Sequence, residues 1–534
     1  MEVLSIVLFF LPVFFPIVYG ICLAASRKKE GAENSFTSLQ VIIPGALEVV
    51  FILLMVFFGS EKVHLFNFFG KSDLWMKKDG LAIMFTVLIG FIFFVVSFFA
   101  IGYIKHEDSK FDEAEGTKTL AGSFFFGFYF IVWGVLVGLS LAGDLVTFYM
   151  FYEIMSITSV ILVLHDMSRE AIYAAKKYLF YSIAGASLAL FGFAFLLFTS
   201  GHGSLEFVSG GHYFWESVYS SQTPMDMTLP VSVQIAVFCM VLGFGAKAGL
   251  FPLHAWLPSA HPVSPAPASA VLSGIIAKAG VLGIIRVMFN YVGADMLRGT
   301  WVQYTLIILS LLTVFMGSML AFVEKVFKKR LAYSTVSQVS YVLFGLFILQ
   351  PLAAVGALLH VIGHAVIKCT LFLNAGAVIH ATGHHEVKDL KGIGRALPIT
   401  MTTFTVAALG LVGIPPVCGF FSKYYICVGA LSSGTTQVFG YIGTGILLVS
   451  AILTAGYLLS ISISAFFPGE EFEGYEENLE KSGKVSKGML LAMIILAAMA
   501  VLLGLFGKEL VEALTKIVKD FGFFFDMMGL GGLK

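Results

Sequence analysis

This 534-residue chain contains many apolar runs, each about as long as a membrane is thick. These runs restrict the folds that the chain can adopt. A helix needs roughly 20 apolar residues to cross about 30 Å of hydrocarbon. Hydrophobic residues make up 58% of the chain and charged residues only 12%, so the chain is predicted to be an all-α integral membrane protein. We predict about fourteen spans, near 3–25, 38–59, 81–104, 120–141, 144–164, 172–198, 231–257, 266–290, 301–323, 331–350, 352–379, 398–430, 438–466 and 488–507.

The charge balance excludes several classes of function. The 33 Lys and Arg residues match 33 Asp and Glu residues, which leaves no basic surface for nucleic acid. The five cysteines are scattered through apolar segments without a C-x-x-C pair, so neither a disulfide framework nor a metal site is predicted. We therefore expect no cofactor in this chain, and partners within the lipid bilayer.

Loop charges predict the orientation of the spans. Most Lys and Arg residues fall in the loops on one side, which is then cytoplasmic, and both termini are predicted to lie outside a multi-pass cell membrane protein. The first run is interpreted as a retained helix rather than a signal peptide. Residues 508–521 form an amphipathic pattern, expected on the membrane surface or against a neighbouring subunit, and loops 71–80 and 468–481 are expected to be solvated.

Five basic residues lie inside predicted spans, where a charge on a lone helix costs at least about 2.5–3.5 kcal/mol. They are Lys247, Lys278, Arg286, Lys368 and Lys423. Such groups must face protein or water, so they are functional candidates, although Arg286 is close enough to a helix end to be structural. Glu153 is the only evident intramembrane carboxylate to partner Lys247, because Asp144 is placed to cap the start of its helix.

The stretch HVIGHAVIKCTLFLNAG places His360, His364 and Lys368 at intervals of four residues. That spacing puts them on one face of a helix, about 6 Å apart, as a proton relay requires. A single buried histidine is usually a hydrogen-bonded core residue, and a haem would need histidines on two facing helices. Three protonatable groups in register favour the relay.

Prolines interrupt two of the long apolar runs. Pro252 follows Lys247, and Pro415 and Pro416 precede Lys423. A proline removes a backbone donor and frees a carbonyl, which water, a side chain or another helix must satisfy. Two broken helices, each beside a lysine, suggest two related halves, as in transporters built from inverted repeats.

These motifs resemble the antiporter-like subunits shared by respiratory complex I, the Mrp-type cation/proton antiporters and the membrane-bound hydrogenases. The similarity covers nearly the whole chain, and the Mrp D-type and hydrogenase branches are the most similar. It rests on AGDLVTFYMFYEIMSI, KAGLFPLHAWLPSAHPVSPAPASAVLSGIIAKAG, KKRLAYSTVSQVSY, HVIGHAVIKCTLFLNAG and GIPPVCGFFSK.

The resemblance implies two inverted five-helix repeats, each with a proline-broken helix. It divides the chain into an N-terminal three-helix segment (1–110), a first half (111–292), a second half (293–467) and a final helix with an amphipathic helix (468–534). It also implies a proton pathway through Glu153, Lys247, His254, Lys278, His360, His364, Lys368 and Lys423. Glu153 would tune Lys247, and His254 would lie near the inner opening.

The function implied is proton movement coupled to redox chemistry or Na⁺/H⁺ exchange in a multi-subunit complex. Other membrane subunits, and a peripheral iron–sulfur module, are the expected partners, so the chain itself carries no predicted redox site. A stand-alone transporter of a small solute, a membrane redox enzyme and a structural scaffold are the alternatives. The sequence leaves open whether H⁺ or Na⁺ passes.

Overall fold

The computed structural model describes residues 2–26, 35–68, 72–110, 120–199, 205–213, 229–434, 436–469 and 485–523. Predictions that rest on the remaining residues lie outside it. These include most of the basic loop after the first helix, much of loop 199–230, nearly all of loop 468–481, and the two chain ends.

Long apolar helices make up nearly all of the described chain. The first part contains α1 (Glu2–Ala24), α2 (Leu39–Phe58), α3 (Gly80–Lys110), α4 (Gly122–Ser140), α5 (Leu145–Val163), α6 (Arg169–Thr199), α7 (Val231–Ala248), α8 (Leu257–Val263) and α9 (Ala266–Val292). The second part contains α10 (Ala294–Leu297), α11 (Trp301–Val323), α12 (Phe327–Phe347), α13 (Pro351–Thr382), α14 (Ile393–Ala396), α15 (Pro398–Val412), α16 (Gly419–Leu431), α17 (Gln437–Phe466), α18 (Lys487–Leu505) and α19 (Gly507–Lys519).

Twelve described helices are long and apolar enough to cross a membrane. The other two predicted spans are α12, whose first turn carries three basic residues, and the broken pair α15–α16. From α4 to α9 and from α11 to α17 the chain makes five crossings, and the fourth crossing of each set is broken. Because five is an odd number, the second set starts on the opposite side of the membrane, which gives the predicted inverted repeat.

Local signals fix several helix ends as expected. The Asp144 carboxylate accepts hydrogen bonds from the backbone N–H groups of Val146 (2.9 Å) and Thr147 (2.8 Å), so the predicted cap of α5 is confirmed. Helices α7 and α15 end in left-handed glycines, Gly249 at φ +83° and Gly413 at φ +97°. These glycines, and not the prolines, terminate the helices, and the prolines lie in the turns that follow.

Close helix contacts position the first lysine. A Cβ atom built on Gly243 of α7 would overlap with the carbonyl oxygen of Gly185 on α6. A Cβ atom on Gly280 of α9 would overlap with the carbonyl oxygen of Phe244 on α7. Only glycine permits these approaches, which bring the Lys247 side chain against α6.

Two regions differ from the sequence prediction. The loop 71–80, predicted as a solvated connection, contributes a strand to an antiparallel hairpin of β1 (Lys62–Phe68) and β2 (Ser72–Lys77). The amphipathic helix α19 packs on its own chain, with Ile517 against Gly80 at the start of α3. Its apolar face, with Val511, Leu514 and Val518 buried, therefore needs no neighbouring subunit to cover it.

Candidate functional site

Lys247 is almost completely buried and is held by hydroxyl groups. Its Nζ atom donates hydrogen bonds to Tyr178 Oη (2.8 Å) and Ser182 Oγ (3.0 Å), both on α6. Tyr178 Oη shares a further hydrogen bond with Ser159 Oγ on α5 (2.7 Å). Since a hydroxyl can donate as well as accept, this cradle can satisfy either an ammonium or a neutral amine.

Glu153 lies near Lys247 but forms no ion pair with it in the described structure. The Tyr149 hydroxyl, one turn earlier on α5, donates to Glu153 Oε1 (2.7 Å). The carboxylate is close enough to interact electrostatically with Lys247. The role of Glu153 as the partner of Lys247 stays a prediction.

Lys278 is buried on α9, directly after the π-helical turn Leu272–Ile276. Its Nζ atom donates to the carbonyl oxygen of Ser273. The Ser273 hydroxyl in turn shares a hydrogen bond with Thr335 Oγ1 on α12 (2.8 Å). This places Lys278 where the first half meets the helices of the second half.

The predicted stripe on α13 is present. The rings of His360 and His364 stack with their centroids 5.7 Å apart, and all three members of the stripe are buried. Lys368 Nζ donates to the carbonyl oxygen of Leu331 (2.9 Å) and to the Ser334 hydroxyl, both on α12. His360 Nδ1 shares a hydrogen bond with Ser422 Oγ on α16 (2.9 Å).

Lys423 lies on α16 and contacts the broken end of α15. Its Nζ atom donates to the carbonyl oxygens of Leu411 (2.6 Å) and Val412 (3.0 Å). The Tyr341 ring lies 5.0 Å from Nζ and 5.6 Å from the His360 ring. Tyr341 is therefore close to both Lys423 and the stripe on α13.

The two helix breaks satisfy their free carbonyl groups differently. After α7 ends, the Trp256 indole N–H donates to the carbonyl oxygen of Ala246 (2.8 Å). After α15 ends, the Lys423 ammonium takes that role. Pro252 lies in the first turn, and Pro415 and Pro416 are exposed in the second.

His254 lies apart from the other predicted residues. It is half-buried in the turn between α7 and α8, with its ring stacked on Phe251 at 5.9 Å. Lys177 is near enough to interact with it electrostatically. Its predicted position near an opening of the pathway stays a prediction.

Arg286 forms a buried ion pair at the end of its helix. It is buried in the π-helical end of α9, and its guanidinium pairs with both oxygens of Asp79, at 2.6 and 3.0 Å. Asp79 directly precedes α3, so the pair joins the first half to the N-terminal segment. This contact fits the predicted structural role.

Three buried groups were missed by the sequence analysis. Glu48, in the middle of α2, is fully buried, so Glu153 is not the only intramembrane carboxylate. His261 on α8 is fully buried, with its ring stacked on Phe372 at 4.5 Å. Lys328 donates to the carbonyl oxygen of Ser264 (2.9 Å). Each of the three residues lies in an apolar or basic stretch of the sequence, where only its residue type could have indicated a buried polar group.

The structure also gathers a cluster that no sequence spacing reveals. Glu107, His165 and Asp166 present atoms of metal-ligand type within 4.8 Å of one another. Lys328 interacts electrostatically with both carboxylates. Since α3, the turn after α5, and α12 each contribute, only the folded chain brings these residues together.

The comparisons with known proteins agree with this architecture. The family described as NADH:quinone oxidoreductase/Mrp antiporter, TM, matches residues 142–467, a region that contains both broken helices and every predicted pathway residue. NADH-quinone oxidoreductase subunit N of Desulforudis audaxviator is 31% identical over 82% of this chain and 84% of its own length. The D-type subunit of the Na(+)/H(+) antiporter of Alkalihalophilus pseudofirmus is 28% identical over 92% of this chain and 93% of its own.

A solved structure shows the same fold. The Mrp complex from Dietzia sp. DQ12-45-1b contains a chain that superposes with a TM-score of 0.79, over 98% of both chains, at 20% identity. The fold of the whole chain, including the N-terminal helices outside the family-matched region, is therefore that of an antiporter-like subunit.

Proposed function

Because the chain belongs to the NADH:quinone oxidoreductase/Mrp antiporter family, we propose that it moves protons across the membrane as one subunit of a larger complex. The observation that carries this proposal is the line of buried bases that joins the two broken helices. Such groups are too expensive in a membrane interior to be retained without a role.

The proposed pathway runs from the first half to the second. Glu153 approaches or withdraws and so switches Lys247 between its charged and neutral forms. The proton then passes to Lys278, to the α13 stripe and to Lys423. The residues proposed to take part, including the outlying His254, are Glu153, Lys247, His254, Lys278, His360, His364, Lys368 and Lys423.

An external reaction must drive this movement. Each unit charge moved against 100 mV costs about 2.3 kcal/mol, which the movement itself does not supply. We propose that the energy comes either from a partner module with iron–sulfur clusters or from a cation gradient. The complex lies in the cell membrane with both termini of this chain outside, and its other membrane subunits contact the lipid-facing helices.

Lys247→Ala tests the proposal. In membrane vesicles that contain the assembled complex, the variant should assemble normally and lose ion pumping. Lys388→Ala provides the control, because Lys388 is a lysine in the loop after α13 whose side chain is 74% exposed. Pumping at the wild-type rate by Lys247→Ala would refute the proposed pathway.

A further inference from the structure

Glu48 is a carboxyl group in the centre of a membrane-spanning helix and outside the family-matched region. It is the tenth residue of the twenty in α2, and it is fully buried. Neither carboxyl oxygen has a hydrogen-bond partner among the described atoms. No described cation forms an ion pair with it either, so nothing in its surroundings compensates a negative charge.

The surroundings of Glu48 are aromatic and apolar. Gly45, one turn before it on the same face, has Phe94 and Trp133 as its neighbours, at 3.3 and 3.7 Å from an ideal Cβ position. Ile52, one turn after it, packs against Gly90 of α3. The indole N–H of Trp133 is also buried without a described acceptor. An ionised carboxylate in such a place would be very unfavourable, so Glu48 holds a proton.

Two hydroxyl groups lie in the same aromatic cluster as Trp133. Trp133 packs on Phe93 at 5.5 Å, and the Phe93 carbonyl oxygen accepts hydrogen bonds from Ser97 Oγ (2.8 Å) and Tyr129 Oη (2.6 Å). Tyr129 interacts electrostatically with Cys369, the residue after Lys368 on α13. Ser97 and Tyr129 are therefore bound to the same aromatic cluster as Trp133, and among the described residues no hydrogen bond joins them to Glu48.

We propose that Glu48 is a proton-binding carboxylic acid that gives up and regains its proton during transport. Glu48 releases its proton only as the next one arrives, which avoids a lasting buried charge. The inference rests on the proposed function, because it adds a lateral site to that pathway.

Glu48→Gln in the assembled complex tests this inference, since glutamine keeps the shape of the side chain and cannot release a proton. The infrared difference spectrum, wild type minus variant, should contain the C=O stretch of a protonated carboxylic acid that shifts in D₂O. Proton pumping should fall by roughly 10²-fold, the contribution of a positioned proton-transfer group. Glu48→Asp should restore part of it, and Glu61→Gln, at a side chain that is 83% exposed, should leave it unchanged.

The outcomes separate this inference from the proposed function. Wild-type pumping by Glu48→Gln, with Lys247→Ala inactive, overturns the role of Glu48 and leaves the main pathway intact. Wild-type pumping by both variants overturns both. Absence of the D₂O-sensitive band means that Glu48 is not a protonated acid. If Glu48→Gln fails to assemble, the infrared spectrum of Glu48→Asp is compared with that of the wild type instead. A carboxylic acid band that is unchanged in Glu48→Asp does not come from Glu48 and overturns the inference.

Discussion

The two broken helices hold their lysines in opposite ways. At the first break, the Trp256 indole and the Gly249 backbone N–H bond the Ala246 carbonyl, and Lys247 bonds the hydroxyls of Tyr178 and Ser182. At the second break, Lys423 itself bonds the free carbonyls of Leu411 and Val412. The hydroxyls of the first site can also donate a hydrogen bond to the lone pair of a neutral amine, whereas the carbonyl oxygens of the second site only accept hydrogen bonds from the lysine N–H groups. Related halves can therefore share a backbone design and still differ in the groups that surround their lysines.

Lys247→Arg should have the largest effect on this comparison. Arginine keeps the positive charge but does not deprotonate in proteins, so a site that must release a proton is blocked. We expect proton pumping to fall by roughly 10²-fold, measured in vesicles with the assembled complex. Lys388→Arg is the matched control. A fully active Lys247→Arg complex would mean that the first lysine acts only as a fixed charge.

Lys423→Met should destabilise the protein more than Lys247→Met. The first change leaves two carbonyl groups at the end of α15 without a donor, at about 1–3 kcal/mol for a buried unsatisfied group. The second leaves Tyr178 still bonded to Ser159. Thermal unfolding of the purified complex measures both, and Lys423→Arg, which keeps the donors, should be the more stable second-site variant. Equal losses of thermal stability in Lys423→Met and Lys247→Met would show that the two lysines do not differ in how they stabilise the helix breaks.

Alanine at the helix-ending glycines should reveal which break constrains its lysine. Each substitution carries the left-handed strain of about 1–2 kcal/mol. At Gly413 the new Cβ atom lies 3.1 Å from Lys423 Cδ, and at Gly249 it lies 2.5 Å from Leu257 Cδ1. Gly383→Ala is the control, because its φ of +73° gives similar strain with no neighbour within 4 Å. Compared with Gly383→Ala, we expect only Gly413→Ala to lower the pumping rate further, because only its new Cβ atom contacts a lysine side chain.

Tyr178→Phe should have the smallest effect. It removes one of two hydrogen bonds to Lys247 and keeps the ring, at about 0.5–1.5 kcal/mol, or roughly two- to tenfold in pumping rate. Ser182→Ala should behave alike, and the double variant should lose more than either one. An additive double variant would indicate that the two hydroxyls act independently on the lysine.

The sequence predicted the long apolar helices well, because each run has to match the thickness of the membrane. It also located Lys247, Lys423 and the α13 stripe, since a base in an apolar run and a four-residue spacing are visible without coordinates. The hydroxyl cradle was not predictable, because Ser and Thr occur throughout the spans and only helix packing selects Ser159 and Ser182.

Other features failed for different reasons. The strands β1 and β2 are short and lie between polar turns, so their pattern resembles a loop. Glu48 stands alone in the run LEVVFILL and was overlooked even though its type was a sufficient signal. The turn that follows each helix-ending glycine determines which side chain bonds the carbonyl groups at the break. Trp256 and Lys423 lie at different distances along the chain from their glycines, so the sequence pattern does not reveal either contact.

The π-helical turns of α9, Leu272–Ile276 and Arg286–Val292, have a bearing on how this chain is aligned with its relatives. A π-turn accommodates one residue more than an α-turn over the same rise, so it is commonly the trace of a single-residue insertion. A relative whose equivalent helix is regular would need a gap at each of these turns. Correspondences beyond residue 276 should therefore be assigned by superposing backbones, since an ungapped alignment would move Lys278 and Arg286 round the helix by about 100° per inserted residue.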